Sequence, residues 1–240
     1  MNTKNIYYEH DDTSGTSIGV KYEKYLYHCQ SKFQNIEVIK TQRYGNVLYL
    51  DGCFMLSEMN QDYYHNTCLG LTPKRSKNIL IIGGGDYGIA SMLIRRDINA
   101  KITIVEIDKE VVQISKKYFP KNFKLNKKQL KNIKTVIQDG MIFLKNNLIK
   151  YDSIIIDSTD PIGQAKILYS KSFIKLCNNS LVKGGTLIQQ SGSPVNDMKS
   201  LIKPLVKKYN DIGMKKITLS SFPMPLYPTG TWCFISAKRA

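Results

Sequence analysis

Two aspartates three positions apart, Asp157 and Asp160, are the residues of this sequence best placed to do chemistry. They follow an apolar segment, residues 151–156, that predicts a buried strand, and they belong to a loop that contains proline and glycine, residues 157–165. In open α/β sheets ligands bind beyond the carboxyl ends of the strands, where one carboxylate can accept a proton and another can hold a protonated amine. The alternative is an Asx-type turn, in which both side chains bond nearby backbone amides.

Three more acidic residues stand at the ends of other predicted strands. Asp86 lies within a glycine turn, residues 83–88, where it would repel the pyrophosphate that such a turn usually binds. Glu106 suits the hydroxyls of a ribose, and Asp139 can accept from the amino group of adenine. A nucleoside that carries positive charge fits these acids, as an S-adenosyl sulfonium compound does, and its decarboxylated form fits better than S-adenosylmethionine itself. Several close carboxylates are also expected to raise one another's pKa values.

The pattern of strands and helices predicts two units of different architecture. Residues 1–70 are β-rich, with short strands, turns and a helix from Asp62, which favours a small N-terminal antiparallel β domain. Residues 71–240 alternate strands with helices, which predicts an α/β fold: a Rossmann-like, methyltransferase-type doubly wound sheet. The strands are predicted at residues 19–22, 26–29, 36–41, 47–50, 78–82, 102–105, 135–137, 151–156, 185–188, 216–219 and 232–236.

The composition limits the compartments and partners to expect. The 240 residues are 42% hydrophobic, contain no apolar run of membrane-spanning length and begin without a signal sequence, so we expect a cytoplasmic protein with no membrane partner. Five scattered cysteines form no CxxC pair, which favours reduced thiols over disulfides or a zinc site. The net charge of +16 comes mostly from lysines interleaved with asparagines. A composition biased toward these two residues produces such a charge on any solvated surface, so nucleic-acid binding is not expected.

Several motifs match those of a known family. The sequence resembles the polyamine aminopropyltransferases, the spermidine synthase family, over nearly its whole length. GGGD at 83–86 and VEID at 105–108 are weak signals that methyltransferases share, whereas DSTDPIG at 157–163 together with YPTG at 227–230 is specific. The other matching stretches are SKFQ at 31–34, LDG at 50–52, YH at 64–65, DG at 139–140 and QS at 190–191.

The resemblance implies a reaction and a role for the matching residues. A primary amine attacks the aminopropyl carbon of decarboxylated S-adenosylmethionine and releases methylthioadenosine, with Asp157 as the proton acceptor; with putrescine as the amine, the product is spermidine. The amine is held by Tyr64, Ser158, Thr159, Asp160 and Tyr227, the nucleoside by Gln34, Glu106, Asp139 and Gly140, and the aminopropyl ammonium or the product by His65 and Asp86. Gln164 and Gln190 complete the predicted substrate-binding set.

The implied chemistry also limits what the protein needs to bind. No metal or resident cofactor is expected, because the sulfonium is already a good leaving group and proximity supplies much of the rate. The expected partners are the diamine, the sulfonium nucleoside and further copies of the chain, in a homodimer or homotetramer.

Departures from the family pattern leave the preferred amine open. Where the family has an acidic TERDE run, this chain has SEMNQ at 57–61; Met55 stands where glutamine is common, and Tyr87 replaces a glycine of GGGDGG. Two alternative functions therefore remain: an S-adenosylmethionine-dependent methyltransferase of the same fold, and a catalytically impaired basic binding protein. For Tyr64 and His65, the alternative role is packing at the junction between the two domains.

Overall fold

The N-terminal part of the molecule is built from antiparallel strands. The structure is a computed structural model that describes residues 5–11 and 14–240, so residues 1–4 and 12–13 of the predicted β-rich unit lie outside it. A two-stranded hairpin precedes a four-stranded sheet whose strands pair in chain order. The hairpin consists of β1 (Ile6–Asp11) and β2 (Thr16–Lys21), and the sheet of β3 (Lys24–Gln30), β4 (Asn35–Thr41), β5 (Gly45–Leu50) and β6 (Cys53–Ser57).

The sequence predicts β2 to β5 but neither β1 nor β6. β6 is the return strand of a hairpin whose turn the sequence does indicate: Asp51 and Gly52 have φ of 49° and 79°, as a tight turn between antiparallel strands requires. β1 reads IYYEHD and lacks a clean alternation of apolar and polar residues. The predicted antiparallel N-terminal unit is therefore confirmed, but it contains two more strands than expected.

In the described part of the chain, the larger sheet has seven strands. They are β7 (Asn78–Gly83), β8 (Lys101–Glu106), β9 (Ile133–Ile137), β10 (Tyr151–Asp157), β11 (Leu181–Gln190), β12 (Lys215–Pro223) and β13 (Thr231–Lys238). Their order is β12-β13-β11-β10-β7-β8-β9. The pairs from β11 to β9 are parallel, whereas β11–β13 and β13–β12 are antiparallel. This topology confirms the predicted doubly wound, largely parallel sheet.

Both faces of the larger sheet are buried. In β7, Ile79 and Ile81 belong to one hydrophobic cluster, while Leu80 and Ile82 belong to another, as expected of a central parallel strand. The helices are α1 (Gln61–Leu71), α2 (Gly88–Arg96), α3 (Lys109–Tyr118), α4 (Lys127–Lys131), α5 (Gly140–Asn146), α6 (Lys171–Ser180) and α7 (Lys203–Asp211). None of the helices in the described residues has the length and apolar character that a membrane crossing requires.

One hydrophobic cluster joins the N-terminal strands to the larger sheet. It contains Tyr49 of β5 and Phe54 of β6 together with Ile81 of β7 and Phe234 of β13. The helix predicted from Asp62 is α1, which packs against α2 and β12. The predicted domain boundary after residue 70 falls within the last turn of α1 and stays a prediction.

Candidate active site

A cavity of about 270 Å³ lies at the C-terminal edge of the larger sheet. The ends of β7, β8, β10 and β11 line it, as do α1 and parts of the N-terminal strands. It also brings together every residue predicted for the site: Gln34, Tyr64, His65, Asp86, Glu106, Asp139, Gly140, Asp157, Ser158, Thr159, Asp160, Gln164, Gln190 and Tyr227. The predicted clustering is therefore observed, while the individual roles stay predictions.

The strand ends approach one another because the turn after β7 begins without a side chain. Gly83 has a φ of +84°, and a Cβ at this position would lie 2.0 Å from the carbonyl oxygen of Asp157. The Gly84 amide donates to the same oxygen at 3.0 Å. The glycine turn thus brings Asp86 and Asp157, at the ends of adjacent strands, into one wall of the cavity.

Asp157, the predicted proton acceptor, is held by a buried tyrosine. The hydroxyl of Tyr64, a residue only 8% exposed, donates to Asp157 Oδ1 at 2.7 Å. Burial and then the charge of Asp86 raise the pKa of Asp157 to about 7. The hydrogen bond from Tyr64 and the charge of His65 act in the opposite direction. A carboxylate that titrates near neutral pH can both accept a proton and release it.

Asp86 contacts a buried histidine that also lines the cavity. His65 Nε2 lies 3.5 Å from Asp86 Oδ2, and Asp86 Oδ1 accepts from the Gly88 amide at 2.8 Å. Burial disfavours the charged form of both groups, but their hydrogen bond and mutual attraction hold the pKa of His65 above its ordinary value and that of Asp86 below. The expectation that neighbouring carboxylates raise one another's pKa thus holds for Asp157 and is wrong for Asp86, because His65 compensates its charge.

Three of the four predicted nucleoside residues, Glu106, Asp139 and Gly140, lie at or just after the ends of β8 and β9, while Gln34 lies in the loop between β3 and β4. Burial raises the pKa of Glu106 to about 7, even though its Oε1 accepts from the Asp108 amide at 2.9 Å. Asp139 caps α5, since its Oδ1 accepts from a backbone amide of the first helical turn at 2.9 Å. A Cβ at Gly140 would lie 2.8 Å from Ile82 Cγ2, so packing of α5 against β7 requires glycine there whatever its role toward a ligand.

Gln34 is oriented by a buried aspartate that sequence reasoning left without a role. Asp108 is 2% exposed, and its Oδ2 accepts from Gln34 Nε2 at 3.1 Å and from the Ser31 hydroxyl at 2.6 Å. Its Oδ1 accepts from the Glu110 amide at 3.0 Å and so caps α3. The position of Asp108 between a strand and a helix, within VEID, was the available signal for this capping role.

At the other side of the cavity, Asp160 is bound by a glutamine from β11. Gln190 Nε2 donates to Asp160 Oδ1 at 3.1 Å, and Gln190 Oε1 accepts from Trp232 Nε1 at 2.9 Å. Burial raises the pKa of Asp160 to about 6, although the hydrogen bond from Gln190 lowers it. Because Asp157 and Asp160 bond side chains of other elements, the structure does not support the alternative of an Asx-type turn.

Aromatic rings complete this side of the cavity. The ring of Tyr227 packs against Trp232 with centroids 4.4 Å apart and against Phe54 at 5.2 Å, edge to face. Tyr64 likewise contacts Phe234 at 4.7 Å. Tyr64 therefore does pack at the junction, as the alternative role suggests, and its hydroxyl also reaches Asp157.

Sequence reasoning missed Glu9, another carboxylate of the cavity wall. Glu9 lies on β1, is 8% exposed and accepts at Oε2 from the Phe54 amide at 3.0 Å. Burial raises the pKa of Glu9 to about 7, against the effect of that hydrogen bond and with a further contribution from the charge of Asp160. No local pattern marks this residue, because it lies on β1, one of the two strands that the sequence did not predict.

The altered TERDE segment contributes an uncharged wall. Gln61 is 3% exposed, lines the cavity and accepts at Oε1 from Asn122 Nδ2 at 2.9 Å. The preceding amide nitrogen, Asn60 Nδ2, is buried without a hydrogen-bond partner among the described atoms. Of the two amides, Gln61 therefore gives the cavity wall an uncharged side chain, whereas Asn60 is not among the described residues that line the cavity.

Comparisons with known proteins agree with this arrangement. The chain matches the family of the spermine/spermidine synthase domain over residues 62–240 and that of the spermidine synthase tetramerisation domain over residues 6–58. A polyamine aminopropyltransferase of Methanocaldococcus jannaschii is 33% identical over 98% of this chain and 80% of its own. One of Clostridium botulinum is 34% identical over 98% of this chain and 83% of its own.

Solved structures of the same class superpose closely. A spermidine synthase in complex with the transition-state analogue AdoDATO has a TM-score of 0.88 and 26% identity, over 100% of this chain and 82% of the other. The spermidine synthase of Thermotoga maritima also has a TM-score of 0.88, with 25% identity over 100% of this chain and 81% of its own. With two family matches that together cover nearly the whole sequence, this chain is a member of the spermidine synthase family of polyamine aminopropyltransferases.

Proposed function

We propose that this protein transfers the aminopropyl group of decarboxylated S-adenosylmethionine to putrescine, giving spermidine and methylthioadenosine. The order of the strand ends along the cavity supports this proposal most directly. From β9 to β11 they carry Asp139, Glu106, Asp86, Asp157 and Gln190 in succession. A nucleoside at β8 and β9 would therefore direct its cationic chain past β7 toward β10, where the base stands, with the amine beyond it.

The reaction needs one base and a well-aligned amine. The lone pair of a neutral primary amine attacks the aminopropyl carbon bonded to sulfur, the C–S bond breaks, and its electron pair returns to sulfur as methylthioadenosine leaves. The proton that the amine loses passes to Asp157, whose pKa near 7 suits this transfer at neutral pH. Alignment of the two substrates supplies much of the rate, and the positive sulfonium makes a resident metal or other cofactor unnecessary.

The charges of the cavity suit two cationic substrates. Asp86, whose lowered pKa keeps it ionised, offers a carboxylate to the ammonium of the donor, with His65 compensating part of its charge. Asp160 and Glu9 offer carboxylates to the amine acceptor, and an incoming ammonium would favour their ionised forms. The uncharged Gln61 wall does not remove this set, so the altered TERDE segment is compatible with activity.

The proposal extends to assembly and compartment. The tetramerisation-domain match over residues 6–58 supports a homo-oligomer, which we propose to be a homodimer or homotetramer. All five cysteines are free, which supports a reducing compartment, and we propose the cytoplasm.

Coproduct analysis tests the proposed function. The protein is incubated with decarboxylated S-adenosylmethionine or S-adenosylmethionine, each with putrescine, cadaverine, agmatine or no amine. We expect methylthioadenosine only with the decarboxylated donor and an amine, and the highest kcat/KM with putrescine. A higher kcat/KM with another amine would contradict the choice of putrescine but not the aminopropyl transfer. S-adenosylhomocysteine formed from the carboxylated donor would instead indicate a methyltransferase. Salt-dependent nucleic-acid binding without either coproduct would indicate the impaired basic binding protein.

A further inference from the structure

Tyr87 has a backbone conformation that tyrosine rarely adopts. Its φ of 64° and ψ of 2° lie in the left-handed region, at the residue that precedes α2. Non-glycine residues pay for this conformation in free energy, whereas glycine adopts it freely. The surrounding structure must therefore hold Tyr87 in place.

Two contacts of the Tyr87 side chain, both outside the cavity, restrain this conformation. Its ring stacks on Phe123 with centroids 4.5 Å apart and planes at 29°, and its hydroxyl shares a hydrogen bond with the hydroxyl of Thr135 on β9. Tyr87 is not among the described residues that line the cavity. Its side chain thus acts from behind the glycine turn and not on a substrate.

The backbone of Tyr87 is tied to the carboxylate of Asp86. The hydrogen bond from the Gly88 amide to Asp86 Oδ1, 2.8 Å, closes a turn around Tyr87, and the Tyr87 amide donates to the Gly84 carbonyl at 3.0 Å. A change in the dihedral angles of Tyr87 must therefore reorient the Asp86 carboxylate. There is little room for such a change, because a Cβ at Gly88 would lie 2.0 Å from the ring of His65.

The segment that receives the Tyr87 ring is itself fixed to the cavity wall. Phe123 belongs to a 3₁₀ turn, Pro120–Phe123, whose Asn122 donates to Gln61 of α1 at 2.9 Å. Arg95 of α2 donates to the carbonyl of Lys121 in the same turn at 3.3 Å. Phe123 therefore offers an anchored partner for Tyr87.

We propose that Tyr87 is a positioning residue: anchored on Phe123 and Thr135, it holds the glycine turn in the conformation that directs Asp86 toward the ammonium of the donor. The inference rests on the proposed function for the identity of the ligand at Asp86. If so, the contacts of the Tyr87 side chain serve to hold the backbone in the left-handed conformation. Glycine, which adopts that conformation freely, should then be able to replace tyrosine, whereas alanine should not.

The test compares Tyr87→Ala with Tyr87→Gly. Alanine loses both anchors but still disfavours the left-handed conformation, so we expect the Kd and KM for decarboxylated S-adenosylmethionine to rise about tenfold, with the KM for the amine changed less than about twofold. Glycine loses the same contacts but accepts the conformation, so its donor Kd should rise less than about threefold. Titration calorimetry gives the donor Kd, steady-state kinetics gives both KM values, and thermal melts confirm that each variant is folded.

A second pair of variants serves if Tyr87→Ala does not fold. Thr135→Val removes the hydroxyl that bonds the Tyr87 side chain, at a position outside the cavity. It should raise the donor Kd in the wild-type background. It should not do so in the Tyr87→Gly background, because the tyrosine hydroxyl that Thr135 bonds is already absent there. An effect of the same size in both backgrounds would overturn the inference, as would no effect on donor Kd in the wild-type background.

Among the Tyr87 variants, equal donor Kd values for the alanine and glycine proteins would also overturn the inference, as would a parallel rise in both KM values. These results are distinguishable from failure of the proposed function. A wild-type protein that neither binds the decarboxylated donor nor releases methylthioadenosine contradicts the proposed function itself.

Discussion

The hydroxyl of Tyr64 lies 2.7 Å from Asp157 Oδ1, so a tyrosine from α1 forms a hydrogen bond with a carboxylate at the end of β10. Burial and then the charge of Asp157 raise the pKa of Tyr64 well above its ordinary value, so the hydroxyl keeps its proton and acts as the donor. That bond stabilises the ionised form of Asp157 and limits the rise in its pKa.

The pH dependence of turnover should report this pair. If Asp157 must be ionised in the free enzyme, kcat/KM rises with pH around the pKa of about 7. Tyr64→Phe removes a hydrogen bond to the ionised form, so the midpoint should move to higher pH by roughly 0.5–1 unit. Tyr63→Phe, at a neighbouring exposed position, is the matched control and should leave the midpoint in place. A midpoint that stays constant or moves to lower pH in Tyr64→Phe would contradict the role of this bond.

The stability of the ligand-free protein should depend on pH in the opposite direction from turnover, because ionisation of the buried Asp157 destabilises the fold. The pKa of Asp157 rises from 3.8 to about 7 on folding, so its contribution is most favourable below pH 4 and is lost as the pH rises through 7. Asp157→Asn removes the buried charge and should raise the free energy of unfolding by about 2–4 kcal/mol at pH 8, and by much less at pH 5. Urea unfolding at both pH values measures this, with Glu23→Gln at an exposed position as the control. A variant that is less stable than wild type at pH 8 would refute the assignment.

Local patterns explain why the strand-end acids could be predicted. Asp86, Glu106, Asp139 and Asp157 each follow an apolar segment of a parallel sheet, and such segments are recognisable one at a time. Their clustering then follows from the general rule for the carboxyl ends of parallel strands.

Contacts between distant parts of the chain account for what the sequence did not reveal. Glu9 enters the cavity because β1 pairs with β2 and its carboxylate reaches the Phe54 amide, 45 positions away. Trp232 joins the site through Gln190, and the conformation of Tyr87 depends on Phe123. None of these relationships has a spacing that a sequence could show.

The charge of Asp86 should select the donor. At an effective dielectric constant of 20, two unit charges 4 Å apart interact by about 4 kcal/mol, and a quarter of that, allowing for His65 and solvent, is roughly fivefold in affinity. We therefore expect the wild type to bind decarboxylated S-adenosylmethionine at least about fivefold more tightly than S-adenosylmethionine. In Asp86→Asn this ratio of affinities should be smaller. Glu106→Gln is the matched control, since the nucleoside is common to both ligands and their affinity ratio should persist.

Titration calorimetry with both ligands on the three proteins decides this point. Equal affinities in the wild type, or an unchanged ratio in Asp86→Asn, would remove the basis for charge selection.

The turnover of Asp157→Asn tests the central assignment most directly. The substitution keeps the shape of the side chain but removes the proton acceptor, so release of methylthioadenosine should fall by about 10²–10⁴-fold while the donor Kd changes little. Asp160→Asn, the same change three residues on, should act mainly on the KM for the amine. The measurement is single-turnover methylthioadenosine formation at saturating putrescine and donor. A loss of turnover with donor binding preserved is the predicted result, and near-wild-type turnover in Asp157→Asn would contradict it.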